Sequence, residues 1–260
     1  VTFDNQGAIL QIAAWFLMVV MILATFLRLT IRFTTRQVPG LDDTILIVAM
    51  VIIAVSIGVN TGLGKRFSLL SGAQINSVEK DVYVSTLLYL LTIASAKAST
   101  LLLIGRLAND IRHVRTVHIL SATVLLWTIA SLFGVAFACQ LPRPWAYTGE
   151  KCFDTTAFWD AIGMFDIVTD ITLIALPTVV IWDLRMNWQT KLVVVSAFAF
   201  RILAVAAQIA RLIFLRQLRW STDLTYVMAY GIATQCQMTL AVVTASIPAL
   251  KPFMDLAASG

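Results

Sequence analysis

Tyr83–Ile104 reads YVSTLLYLLTIASAKASTLLLI, and Lys97 is its only charged residue. At 1.5 Å per residue, a helix of this length crosses a hydrocarbon core of about 30 Å. In lipid every backbone polar group has to be satisfied within the segment, which near-continuous hydrophobicity achieves as an α-helix. A barrel would need alternating strands of about ten residues, and these are absent.

The same reading extends in both directions. Spans are predicted at Ala8–Leu29, Asp43–Leu63, Tyr83–Ile104, His118–Cys139, Ala157–Trp182, Leu192–Ile213 and Leu224–Ile247. Composition agrees: 59% of residues are apolar and 13% charged, with a mean hydropathy of +0.87, against roughly 45–50% and about 25% in a soluble domain. The expected fold is an all-α membrane protein. A single seven-helix transmembrane domain fills residues 1–260 and leaves no room for a soluble catalytic domain. The net charge of +5 is spread along the chain without a basic run, so it reads as loop charge beside lipid headgroups and not as a nucleic-acid surface.

Only Asp4 precedes the first span as a charge, whereas Arg28, Arg32 and Arg36 follow it. This is no cleaved signal peptide; the N-terminus is expected outside or lumenal and the C-terminus cytosolic. Val1 stands where a methionine would begin translation, so a trimmed N-terminus is expected. Cys139 and Cys152 flank the loop between the fourth and fifth spans. A lumenal loop permits a disulfide there, with two unpaired thiols as the alternative. Cys236 reads as a buried small hydrophobe.

Setting loop charges aside leaves three bases, Lys97, Arg201 and Arg211, and three acids, Asp160, Asp166 and Asp170, within the spans. An ionisable group at membrane depth faces the bundle interior and marks a functional-site hypothesis. Helical rise places Lys97, Asp170 and Arg201 about 21, 20 and 18 Å below the outer ends of their helices. They share one layer and read as a structural ion cluster in preference to a catalytic one. Asp166 lies four residues before Asp170, with a like charge beneath it and apolar surroundings, and is expected to serve as a neutral proton donor. Ser56, Tyr89, Gln208, Tyr230 and Gln235 fall at its level or above, Gln237 nearer the charges, and Trp159 and Asp160 at the mouth. Each alone is a candidate for ordinary interhelical hydrogen bonding. As a set they predict a polar-lined cavity, with Asp166, Gln237, Gln208 and Tyr230 as catalytic donors and Ser56, Tyr89, Trp159 and Gln235 contacting substrate.

There is no Gly-rich phosphate loop, HExxH or CxxC, and the only histidines are His113 and His118. No metal or cofactor is expected. The seventh span has no interior lysine, since Lys251 lies beyond Pro248, so a retinal Schiff base is not expected either.

These residues resemble the fungal rhodopsin-like heptahelical domain family, which includes receptor-like proteins and membrane proteins of secondary-metabolite clusters. The resemblance rests on Gly40-Leu41-Asp42-Asp43, Gly62-Leu63-Gly64-Lys65, Lys97-Ala98-Ser99 before Arg106, Cys139-Gln140-Leu141-Pro142 with Trp145 before Cys152, and Thr169-Asp170 with Pro177 and Trp182. Lys191, Arg211 and Pro248-Ala249-Leu250-Lys251-Pro252 complete it. It implies seven helices, an outer N-terminus, the Cys139–Cys152 disulfide, and Lys97 and Asp170 as family features. The chain departs from the pattern at Ile104, Asp166 and Gln237, where tyrosine, asparagine and glutamate are usual.

The leading functional expectation is a membrane-embedded biosynthetic enzyme of the endoplasmic reticulum or another endomembrane. It would cyclise, isomerise or close by a pericyclic, Diels–Alder-type reaction a hydrophobic polyketide or terpenoid, without a cofactor. The alternative is a receptor-like sensor of a lipid or surface cue, placed in the plasma membrane and signalling through its cytosolic loops. A transporter ranks third, since no inverted repeat or broken helix pair is evident.

Overall fold

The computed structural model describes residues 7–34, 72–107, 110–140, 143–145, 152–182, 192, 195–196, 198–220 and 224–247. They form six helices: α1 (Gly7–Thr34), α2 (Gly72–Leu107), α3 (Ile111–Ala136), α4 (Thr155–Trp182), α5 (Arg201–Trp220) and α6 (Leu224–Ser246). Five of these, all but α5, are long and apolar enough to cross a membrane. The described part of α5 carries Arg201, Arg211, Arg216 and Arg219, which lowers its hydropathy. The predicted second span, Asp43–Leu63 with Ser56, lies outside the described residues.

The disulfide between Cys139 and Cys152, whose Cα atoms are 4.1 Å apart, joins the end of α3 to the start of α4. It marks one end of the bundle. Around it Trp145 Nε1 donates to Asn76 Oδ1 (3.0 Å), and the Lys80 ammonium sits 5.0 Å from the Trp145 ring, holding the loop against the first turns of α2. At the far end Arg28 of α1 donates to the carbonyl of Ala245 at 2.6 Å. That oxygen is one of the carbonyls a helix C-terminus leaves without a partner, so Arg28 caps α6. The sequence reading had Arg28 among the loop charges; in the structure it is 1% exposed.

Helix ends also differ from the predicted spans. α2 starts at Gly72, well before Tyr83, and α3 starts at Ile111, well before His118. Hydropathy marks where a helix enters lipid, whereas the ends are set by polar contacts. Asp110 illustrates this: its carboxylate accepts from the Arg112 N–H at 3.0 Å, capping α3. Likewise α5 runs on to Trp220 and carries Arg216 to Asp160 of α4, 3.1 Å away.

α2 is the central helix, packing against α3, α4 and α6, while α5 lies between α4 and α6, and α1 rests on α6. The outward faces are apolar, including Phe16, Leu23 and Phe26 on α1, Leu126 and Phe133 on α3, and Met164 and Val168 on α4. A bilayer covers such faces. Hydroxyls buried in these helices bond back to their own backbone, as Thr92 does to Leu88 O (2.8 Å) and Thr128 to Val124 O (2.7 Å). A Ser or Thr in a span is therefore no sign of a cavity by itself. Two apolar clusters fill the interior. One includes Leu101, Ile104, Val124, Leu173 and Val180; the other includes Tyr89, Ile93, Val135, Ile162 and Met238. Along α2 and α4 the buried charges fall between them.

Candidate functional site

Lys97 projects from α2 into α4. Its ammonium lies 2.9 Å from Asp166 Oδ1 and 2.9 Å from Asp170 Oδ1, and it donates to the Asp166 carbonyl (2.9 Å) and the Thr169 hydroxyl (2.5 Å). Asp170 Oδ1 also accepts from Arg201 Nε at 3.0 Å, and Arg201 Nη1 donates to Thr100 Oγ1 at 3.0 Å. Lys97, Arg201, Asp166 and Asp170 are all at most 4% exposed. Two cations and two carboxylates thus balance in one layer.

Asp166 belongs to this cluster, and its surroundings are not the apolar ones expected from sequence. The cation stands between the two carboxylates because Lys97 enters from another helix. Asp166 Oδ2 accepts from Gln237 Nε2 (2.9 Å), and Gln237 Oε1 accepts from the Tyr89 hydroxyl (2.9 Å). Both Asp166 oxygens therefore face donors, although Oδ1 meets the ammonium as an ion pair without a directed hydrogen bond. The Tyr89 hydroxyl also leans towards Gln208 Oε1 at 3.4 Å. Gln208 can reach it because Gly163 of α4 has no side chain. A Cβ there would stand 2.8 Å from Gln208 Nε2 and 2.6 Å from Leu212 Cδ2.

Arg211, absent from the predicted site, is its neighbour. Its guanidinium carbon lies 4.4, 4.8 and 5.1 Å from the ring centres of Tyr89, Trp159 and Tyr230. It donates from Nη2 to the Tyr230 hydroxyl (2.8 Å) and from Nε to Thr234 Oγ1 (3.2 Å), leaving Nη1 without an acceptor. Cations attract aromatic faces, so this cage retains a charge that is 1% exposed. The sequence did carry a signal: Arg211 follows Gln208 by three residues and shares its helix face. Of the remaining predicted residues, Tyr230 and Trp159 enter this cage, Trp159 also packing edge-on to Tyr89 at 6.4 Å. Gln235 Oε1 is buried and accepts no hydrogen bond. Among the described residues no group of His, Cys, Asp and Glu has metal-binding geometry.

The family model of the fungal rhodopsin domain matches residues 27–256. The chain belongs to the fungal rhodopsin domain family. That match takes in the last turns of α1 and every later helix of this fungal rhodopsin domain, so the ion cluster and the Arg211 cage both lie within it. A SAT4 family membrane protein of Emericella nidulans is 24% identical over 230 residues, covering 86% of this chain and 57% of that protein. The chain thus spans little more than half the length of that curated relative. No solved structure matches the chain.

Proposed function

We propose that this fungal rhodopsin domain is a membrane-embedded enzyme that rearranges a hydrophobic polyketide or terpenoid without a cofactor, by cyclisation, isomerisation or a pericyclic closure. One observation carries the reading: a polar run through the interior, Tyr89–Gln237–Asp166–Lys97–Asp170–Arg201, drawn from α2, α4, α5 and α6. Well-packed apolar side chains stabilise a core at least as well as buried ion pairs, so stability alone does not call for this run. Charges kept at membrane depth instead point to function.

The chemistry proposed asks for a cage that holds the substrate in a reactive fold and for a donor that polarises a carbonyl. Gln208 suits that donor role, because its Nε2 has no protein acceptor. Gln237, Tyr89 and Tyr230 have their polar atoms engaged by neighbours and suit positioning roles. Asp166, held by Lys97 and Gln237, favours polarisation over proton-initiated chemistry. α6 has no lysine, which argues against a retinal Schiff base.

The proposed setting is an endomembrane with the disulfide end lumenal, since a disulfide needs an oxidising compartment. α1 starts at that end and finishes at the other, where α2 does not begin. A seven-span topology is part of this proposal, supported by the hydropathy of Asp43–Leu63 in the sequence.

The test is to incubate the purified protein with intermediates made by enzymes encoded beside its gene, following products by chromatography with mass detection. A rearrangement yields a product of unchanged mass at a new retention time. Asp166→Asn should slow a pericyclic closure and abolish a proton-initiated one, and Gln208→Leu should slow either. If wild type returns every intermediate unchanged, the enzyme reading falls and the receptor-like sensor replaces it.

A further inference from the structure

Four cations are buried among the described residues. Lys97 and Arg201 face carboxylates, and Arg28 faces the terminal carbonyl of α6. Arg211 differs, because among the described residues every group it touches is neutral: two hydroxyls and three aromatic rings. In the ion layer two positive and two negative charges cancel, so among the described residues Arg211 has no carboxylate of its own in contact. Ring quadrupoles attract a cation but do not neutralise it.

Two N–H groups here have no acceptor, Arg211 Nη1 and Gln208 Nε2, on side chains 1% and 0% exposed. They sit one turn apart on the same face of α5 and flank the same tyrosine, Arg211 over the Tyr89 ring and Gln208 at its hydroxyl. A buried donor without an acceptor is costly, and two together with an unbalanced charge define the missing group. It is an acceptor carrying one negative charge. A neutral carbonyl would leave the charge standing, and a dianionic phosphate would exceed it. A guanidinium presents parallel N–H groups that match a carboxylate.

We propose that Arg211 and Gln208 bind the carboxylate of an amphipathic acid whose apolar body packs against Tyr89, Trp159 and Tyr230. Trp159 and Tyr230 are partly exposed while Arg211 is not, so the acid approaches past those two rings. This rests on the reading of the interior as a ligand site and adds that the ligand binds as an anion.

The probe is cis-parinaric acid beside its methyl ester, titrated into protein in phosphatidylcholine nanodiscs at about pH 9, where the acid is ionised. Energy transfer from tryptophan, with Trp159 at the site, reports binding. Wild type should bind the acid more than about tenfold tighter than the ester, as charge-assisted hydrogen bonds require. Arg211→Gln should erase that preference while still binding the ester, which shows that the variant is folded. Arg211→Lys should keep part of it, and Gln208→Leu should weaken the acid roughly three- to tenfold and the ester less than that. Equal affinities for acid and ester, no saturable binding of the acid, or an unchanged preference in Arg211→Gln would each overturn the proposal. Saturable but equal binding removes the anion and spares the ligand site. An acid preference without turnover of any intermediate removes the enzyme reading and spares the anion site.

Discussion

Replacing Asp170 by asparagine tests whether the buried layer is held by charge. Asp170 Oδ1 accepts from Arg201 Nε at 3.0 Å and meets the Lys97 ammonium at 2.9 Å. The amide keeps the shape and removes the charge, leaving Lys97 and Arg201 with Asp166 as their one carboxylate. Breaking a buried pair from one side costs about 3–5 kcal/mol. A neutral interhelical hydrogen bond in a membrane protein averages only about 0.6 kcal/mol. At roughly 2–4 °C per kcal/mol for a chain near this size, Asp170→Asn should lower the melting midpoint by about 6–20 °C. Thr100→Val, which removes only the hydroxyl that accepts from Arg201 Nη1, should lower it by a few degrees. Removing the matching cation as well, in Asp170→Asn with Arg201→Gln, should recover part of the loss. The assay is the monodisperse peak on size exclusion after heating in detergent, run beside turnover. A loss no larger than that of Thr100→Val would refute the charge argument. A variant that melts normally but is inactive would move Asp170 from the scaffold to the chemistry.

Mass spectrometry of unreduced protein should find Cys139 and Cys152 cross-linked. Their double replacement by serine should cost about 3 kcal/mol, as expected for a loop closed over a sequence separation of 13. Gly163→Ala introduces a Cβ 2.6 Å from Leu212 Cδ2 and 2.8 Å from Gln208 Nε2. A loss of about 1–3 kcal/mol should follow, together with weaker ligand binding from the displaced amide; an unchanged midpoint and affinity would show that these side chains yield freely. At the start of α3 the backbone N–H of Arg112, then its side chain, holds the Asp110 carboxyl below the ordinary value of 3.8. A lowered folded value means that the cap is fully present above 3.8 and is lost as pH falls through the folded value. Amide exchange in the first turn of α3, corrected for its intrinsic pH dependence, should therefore be flat from neutral pH to about 5 and rise only below 3.8. A rise near neutrality would show that another group controls this turn.

Much of the fold was legible because lipid imposes one-dimensional rules. A run such as Tyr83–Ile104 has to be a helix, and helical rise gives the height of each residue on it. Height was enough to bring Lys97, Asp170 and Arg201 to one level, and a spacing of four residues was enough to put Asp166 and Asp170 on one face. The ends of α2 and α5 were not legible, because they depend on Trp145 and Asp160, which act across a loop or between helices; the start of α3 rests on the local cap Asp110, which hydropathy does not weigh. Nor was the burial of Arg28, whose partner is the end of a helix far along the chain.

By itself, then, the sequence determined that this protein is a helical membrane protein of a recognisable family, which residues carry charge at depth, and which two cysteines can pair. Only the tertiary structure decided who meets whom. Hydropathy and rise set a residue's height but not the rotation of its helix or the identity of its neighbours. Lys97 and Arg211 look alike in sequence, each a cation inside a predicted span. Packing sets the first between two carboxylates and the second among three aromatic rings. That difference in rotation and neighbours separates a balanced ion cluster from a buried cation caged by aromatic rings.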